Sequence, residues 1–332
     1  MAEYTGVLVL GEVVEGKLAA ITTELLGCGR KLADELGEEL GAILLGSGVG
    51  GVATEVIAFG ADKVYVVDDP LLQNYQTDSY VAVMERVTKQ FSPRILLLGH
   101  TAIGRDLAPR LAFRLGVGLS TDCVELSLDP ESKLLLETRP VYGGNARAIF
   151  AYEGYPQIAT VRAKAMSPLE RDDSRQGEVV TLPAGIDASA IRTRVIDKVK
   201  EEVAGIKLED AEVVVCGGRG IGGPEGFKQL EELAKVLKGA VGATRPPCDN
   251  GWVPATLQIG LTGKIVTPTL YIAVALSGSS QHMAGCSGAK NIVAINRDPE
   301  ANIFREARFG VVGDWKQVLP AFIEKCKELM AG

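Results

Sequence analysis

The stretch Thr269-Leu-Tyr-Ile-Ala-Val-Ala-Leu-Ser-Gly-Ser-Ser-Gln-His282 decides the fold. Through Leu276 it is almost wholly apolar, the pattern of a strand buried on both faces of a parallel sheet. It then empties into Ser277-Gly-Ser-Ser-Gln-His282, a glycine and three hydroxyls at a strand-to-helix turn. Such a turn offers free backbone N–H groups and hydroxyl donors to an anion. Upstream, Val213-Val-Val-Cys216 leads into Gly217-Gly-Arg-Gly-Ile-Gly-Gly223, where Gly218, Gly220 and Gly223 fit G-x-G-x-x-G. Glycines in that motif let the backbone approach a pyrophosphate. The bare motif is weak evidence, because a tight βα turn without a ligand reads the same. Two such turns at neighbouring strand ends imply a long ligand with a diphosphate in its middle. A nicotinamide site expects an acidic residue on the ribose roughly 20 residues on. Here the second strand ends in Thr244-Arg245, which speaks against an NAD-binding half.

Working outward, residues 212–330 form a doubly wound α/β series. Strands are expected at Glu212–Cys216, Ala240–Ala243, Lys264–Val266, Tyr271–Leu276, Ile292–Asn296 and Gly310–Gly313. Helices are expected at Gly226–Leu237, near Gln281 and at Trp315–Met330. The first half also alternates. Val7–Leu10, Ala42–Leu45, Lys63–Val67 and Ile95–Leu98 read as strands, with helices at Thr22–Leu36, Val52–Phe59, Ser79–Lys89 and Gly104–Leu115. This pattern implies a parallel sheet covered on both faces. After Thr121, Cys123–Leu128, Leu134–Arg139 and Ala146–Ala151 look like neighbouring strands and suggest a β-rich extension of that sheet. Ser167–Arg175 is polar, and Thr181–Glu202 is mixed and rich in charge. The expected division is an N-terminal domain of residues 1–205 and a second domain of residues 206–332.

The chain has 332 residues, 46% hydrophobic and 23% charged, enough for two domains with sizeable cores. A net charge of -7 and the lack of a basic stripe exclude nonspecific nucleic-acid binding as a main role. The cysteines Cys28, Cys123, Cys216, Cys248, Cys286 and Cys326 form no C-x-x-C pair, so reduced structural thiols are expected. With His100 and His282 the only histidines, no metal site is expected. No apolar run is long enough to span a bilayer. The start Met-Ala-Glu-Tyr carries no basic leader, so the cytoplasm is the expected compartment, although a mature organellar protein would look the same.

Several other residues stand where a ligand would reach them. Thr262, in Gly260-Leu-Thr-Gly-Lys264, can offer its hydroxyl to a ring nitrogen of a ligand or bond its own backbone. Gln281 and His282 open a helix beside the anion-binding turn, and a histidine there can donate to a ring carbonyl. His100 reads as structural. Asn296 and Asp314 end strands, where open α/β sheets bind ligands, and Asp314 can equally cap the helix beginning at Trp315. No residue set offers nucleophilic or acid–base catalysis.

At these residues the chain resembles the α subunit of electron transfer flavoproteins. The resemblance rests on Leu270–Gly285, on Ile292-Val-Ala-Ile-Asn-Arg-Asp-Pro-Glu300 through Phe304, and on Gly217–Gly220. Val241-Gly-Ala-Thr-Arg245 and Gln258-Ile-Gly-Leu-Thr-Gly-Lys-Ile-Val266 add to it. It implies FAD as cofactor, in a Rossmann-like C-terminal domain behind a nucleotide-α-hydrolase-like N-terminal one. By that resemblance Arg219, Thr244, Ser277, Gly278, Ser279, Ser280 and Gln281 face the diphosphate and ribityl chain. Arg245, Thr262 and His282 face the isoalloxazine, Asn296, Asp314 and Trp315 the adenosine, and Gly260 and Leu261 also belong to the cofactor-binding set. Leu261 stands where many relatives have glutamine. The resemblance further implies a heterodimer with a β subunit and an acyl-CoA dehydrogenase or similar flavin dehydrogenase as redox partner. Thr138-Arg-Pro140 with Gly143-Gly-Asn145 resembles the electron-bifurcating type. There Arg139 would face a second flavin in the β subunit, with NADH as donor and ferredoxin as a further acceptor. An NAD(P)-dependent oxidoreductase and a non-redox adenine-nucleotide sensor remain the competing classes.

Overall fold

A computed structural model describes residues 4–144, 146–198 and 206–331. The chain divides into two compact units, Met1–Pro140 with Arg147–Val199, and Val141–Ala146 with Lys200–Gly332. The junction expected near residue 205 lies outside the described residues, as does Asn145.

The first unit opens with β1 (Val7–Gly11), the short antiparallel pair β2 (Val13–Val14) and β3 (Lys17–Leu18), α1 (Ala20–Leu36) and β4 (Leu40–Gly46). It continues through α2 (Ala53–Ala58), β5 (Lys63–Asp68), α3 (Thr77–Phe91), β6 (Ile95–Gly99) and α4 (Ala102–Leu115). Then come β7 (Leu119–Cys123), β8 (Glu125–Leu128), β9 (Leu135–Val141), β10 (Ala146–Phe150), β11 (Gln157–Val161) and β12 (Glu178–Thr181). Seven strands form one parallel sheet in the order β12-β5-β4-β1-β6-β11-β7. Every residue of β1, β6 and β11 is buried; β1 and β6 are unbroken apolar runs, whereas β11 also buries the polar Gln157 and Thr160. Alternation along β1 splits the core in two. Val7 and Val9 pack with Leu25, Leu26 and Leu32 of α1, while Leu8 and Leu10 pack with Met84 of α3 and Leu107 of α4.

The sequence pattern missed the buried β11, and also β12, a mostly exposed Glu-Val-Val-Thr strand that pairs with β5. The β extension is a separate three-stranded sheet, β10-β9-β8, and not further strands of the first. The run 123–128, expected as one strand, is shared by β7 and β8. Asp122, one residue before β7 ends, has a left-handed backbone (φ 64°).

In this small sheet Glu137 pairs with Leu126 and is completely buried. Among the described residues neither of its carboxyl oxygens has a hydrogen-bond partner. Ser120 stands near enough to favour the charged form slightly, but off hydrogen-bond geometry. Burial pushes this carboxyl up to about 7. The folded pKa is thus above the unfolded one. The associated stability is complete below the ordinary value of 4.5 and is lost as pH rises through about 7. Glu137→Gln is expected to leave the melting temperature unchanged at pH 5. At pH 8.5 it is expected to raise it by several degrees, from a gain on the order of 3 kcal/mol. Thermal melts at the two pH values check this, and equal effects at both would contradict it.

The second unit holds β13 (Val213–Gly217), α5 (Pro224–Val236), β14 (Ala240–Ala243), α6 (Arg245–Asp249), β15 (Leu270–Val274) and α7 (Ser280–Met283). It ends with β16 (Asn291–Asn296), α8 (Ile303–Glu306), β17 (Phe309–Val312) and α9 (Trp315–Ala331). Its sheet is parallel throughout, ordered β14-β13-β15-β16-β17. The direction of winding reverses between β13 and β15, which opens a crevice beyond their C-terminal ends. The strand expected at Lys264–Val266 does not form. Lys264 makes a single bridge to Ile259, and the Val266 N–H bonds the loop carbonyl of Gly285.

All six cysteines are free. Among the described residues no helix is long and apolar enough to cross a membrane, and no cluster of His, Cys, Asp and Glu is suited to a metal.

Candidate functional site

Each β-strand of the second unit delivers a loop to the same sheet edge. β13 supplies Gly218–Gly220, β14 supplies Thr244 and Arg245, and β15 supplies Ala275–Ser279. β16 ends at Asn296, and Asp314 follows β17. Three cavities share walls along this edge. The central one, about 510 Å³, is lined by Arg219, Gly220, Thr244, Ser277, Gly278, Ser279, His282 and Asn296 among others. On one side a cavity of about 160 Å³ is lined by Gly220, Asn296, Asp314 and Trp315. On the other, a cavity of about 160 Å³ is lined by Thr244, Arg245, Gly260, Leu261, Thr262, Ser279, Gln281 and His282. The structure therefore brings together every ligand residue expected in this unit except Ser280. That residue lines a different cavity, of about 210 Å³, with Met283, Ser287 and Arg305. Arg297, Asp298 and Ala301 also line the central cavity and were missed. The signal for Arg297 was its place directly after Asn296 at a strand end.

The two anion-binding turns prove unequal. Around Gly218 and Gly220 the backbone is tied inward. Gly218 N–H donates to Val274 O at 3.0 Å and Gly220 N–H to Ala275 O at 3.1 Å. A Cβ on Gly218 would lie 2.4 Å from Ala275 O and 2.5 Å from Leu276 Cα. These glycines let two loops cross closely, where the motif suggested that they cradle phosphate themselves. The second turn is open. Among the described residues no hydrogen bond takes up the N–H groups of Gly278, Ser279, Ser280 or Gln281. Gly278 has φ 73° and lies against Ile303, whose N–H donates to Ser277 O at 3.0 Å. Four unpaired donors in one short turn suit a diphosphate.

Supporting hydrogen bonds fix the walls. Trp315 Nε1 donates to Gly220 O at 3.1 Å, so this residue braces the glycine loop. Asn296 Nδ2 donates to Leu276 O at 2.8 Å, and its Oδ1 accepts from Asp298 N–H. Asp314 accepts from Lys316 N–H at 3.0 Å and so caps α9. Thr262 accepts from Gln258 Nε2 at 2.9 Å, which leaves its own hydroxyl proton free to donate. Arg245 pairs with Asp249 at 3.1 Å and is 66% exposed, so its charge is available at the cavity rim. Leu261 is exposed beside it. His282 is buried, and both its ring nitrogens are engaged. Nδ1 lies 3.1 Å from Ile259 O and Nε2 lies 2.9 Å from Tyr271 Oη. The N–H expected to face a ring carbonyl is thus already committed.

The family model for the electron transfer flavoprotein domain matches residues 7–187. The model for the electron transfer flavoprotein FAD-binding domain matches residues 207–287, which hold the turn at Ser277–Gln281. The chain is 47% identical over 330 residues to electron transfer flavoprotein subunit alpha of Thermoanaerobacterium thermosaccharolyticum, covering 99% of this chain and 100% of that protein. The chain belongs to the electron transfer flavoprotein alpha-subunit family. The subunit alpha of Megasphaera elsdenii is 45% identical over 331 residues, covering 99% of this chain and 98% of that protein. Protein FixB of Clostridium saccharobutylicum is 42% identical over 332 residues, covering 100% and 99%. In this chain, then, the second unit holds the FAD-binding domain of the family. The residues fit that cofactor, since the open turn supplies donors for the diphosphate and the flanking cavities give room on both sides. Bound FAD would supply reversible electron acceptance and release, and the residues lining the three cavities would hold and orient it.

The switch point of the first unit lies between β1 and β6. Glu12 is buried there and accepts from Thr101 Oγ1 at 2.6 Å. A carboxyl group at that position opposes a phosphate, which counts against the nucleotide-sensor class. His100 sits nearby, 2.9 Å from Thr160 Oγ1 and 4.0 Å from Asp122. Arg162 grips that same Asp122 with two bonds of 2.8 and 2.6 Å. Arg139, on β9, is half-buried, and among the described residues its Nε has no hydrogen-bond partner.

Proposed function

We propose that this chain is the FAD-carrying half of a heterodimer with an electron transfer flavoprotein β subunit, its domains meeting near residue 205. The FAD lies along the three cavities with its diphosphate at Ser277–Gln281. Its adenosine points toward Asn296, Asp314 and Trp315, and its isoalloxazine toward Arg245, Leu261, Thr262 and His282. The observation that carries this reading is the order of the residues along the edge. Trp315, Asn296 and Asp314 lie on one side of the free N–H cluster, and a cation with a free hydroxyl donor on the other. A cation and a donor beside the ring favour its reduced, negatively charged forms.

The finer reading is electron bifurcation in the cytoplasm. NADH would deliver electrons to a second FAD in the β subunit, which Arg139 faces with its unpaired Nε. Ferredoxin and an acyl-CoA dehydrogenase-type partner, as in fatty acid β-oxidation, would receive them. The support is the Thr138–Pro140 sequence and a half-buried cation without a described partner for that atom. Flavin and AMP counted in the purified heterodimer test it. Two FAD with NADH-driven ferredoxin reduction are expected, and one FAD with one AMP would overturn it.

A further inference from the structure

Tyr271 is among the largest fully buried side chains and lies behind the cavity wall, out of reach of solvent. Its hydroxyl is 2.9 Å from His282 Nε2, while His282 Nδ1 is 3.1 Å from Ile259 O. A carbonyl can only accept, so Nδ1 carries the proton. Nε2 then has only a lone pair to offer, and the Tyr271 O–H must donate to it. The phenol's other polar neighbours are the thiols of Cys216 and Cys286. Burial pushes both thiols up, so they are uncharged. The charged groups lining the two cavities that His282 shares are Arg219, Arg297 and Asp298 in the central one and Arg245 in the other. We propose that Tyr271 is a positioning residue that locks His282 in its neutral Nδ1–H tautomer and thereby sets the potential of the flavin beside it.

The physical reason is the direction of the hydrogen bond. A donor aimed at Nε2 stabilises only the neutral ring, because the imidazolium has no lone pair there. Tyr271 could instead accept from an imidazolium, but it would then have to turn its own proton toward a thiol, a poor acceptor. Burial acts in the same direction and holds the imidazole down at about 4. The flavin therefore sees a neutral histidine across the physiological range.

The proposal rests on the isoalloxazine lying at the cavity that His282 lines, and the experiment separates the two. In FAD-loaded protein with only this chain labelled, nitrogen-15 spectra resolve two histidines, His100 and His282. In the wild type at pH 7, His282 is expected to show a protonated Nδ1 and an unprotonated Nε2. A protonated Nε2 would overturn the proposal without any variant. Tyr271→Phe keeps the ring that fills the core and removes only the donor. It is expected to raise the pKa of His282 and make the flavin potential more positive and more pH-dependent. A tenfold gain in relative affinity for the one-electron-reduced form reads as about 59 mV. An unchanged His282 titration in a folded Tyr271→Phe protein contradicts the role of Tyr271. A changed titration with an unchanged potential leaves that role standing and contradicts the placement of the ring.

Discussion

Gly218→Ala is expected to yield protein that purifies without FAD, whereas Gly223→Ala keeps it. Both glycines belong to the same G-x-G-x-x-G motif, and a phosphate-cradle reading would treat them alike. Their surroundings differ. A methyl group on Gly218 meets backbone at 2.4–2.5 Å, from Ala275 O and Leu276 Cα, and backbone cannot swing aside as a side-chain tip can. A methyl group on Gly223 meets nothing within 4 Å, and its φ of 162° is extended backbone open to any residue. To admit the Gly218 methyl, the loop Ala275–Leu276 must move, and Ser277–Gln281 moves with it. Hydrogen bonds to a charged group contribute about 1.5–3 kcal/mol each. Misplacing two of them weakens binding by roughly 10²–10⁴-fold. Equilibrium FAD binding to both variants checks this. Equal affinities would show that the glycine loop does not support the binding turn.

Arg245→Met is expected to lower the flavin midpoint potential by about 60 mV while FAD content stays near that of the wild type. The side chain lines the cavity assigned to the isoalloxazine, but not the central cavity of the diphosphate. Its charge therefore acts on the redox equilibrium more than on retention. If about 1.4 kcal/mol of its interaction is specific to the reduced ring, the one-electron potential moves by roughly 59 mV. Its 66% exposure places the effect at the low end, because solvent screens it. Asp249, its partner at 3.1 Å, partly offsets the cation, so Asp249→Asn should shift the potential slightly the other way. Spectroelectrochemical titration reads both shifts. An unmoved potential in Arg245→Met would place the ring elsewhere.

The strands most legible in the sequence are unbroken apolar runs, and the equally buried Gln157–Val161 escaped because Gln157 and Thr160 interrupt its run. Val7–Leu10 and Ile95–Leu98 are unbroken apolar runs because helices cover both sides, and such runs have few other uses. The strand at Glu178–Thr181 escaped because it is an edge, mostly exposed, and needs no apolar pattern to pair with β5. Lys264–Val266 misled for the opposite reason. Its apolar side chains point to burial, but burial there comes in a loop whose N–H groups find loop carbonyls. At the site, residue types at strand ends were enough to gather Thr244, Ser277 and the nearby His282, since a parallel sheet brings those ends to one edge, whereas Thr262 reaches the same cavity from a loop. What they bond was not legible. The contacts of Tyr271 with His282 and of Gly218 with Ala275 join separate segments through packing, and no local spacing encodes them.

Hydrogen–deuterium exchange on the FAD-loaded and FAD-stripped protein tests the central claim most directly. If the diphosphate takes up the free N–H groups of the turn after β15, loading should slow exchange most strongly at Gly278–Gln281. Equal exchange there in the two forms, with protection appearing at another sheet edge, would contradict the account.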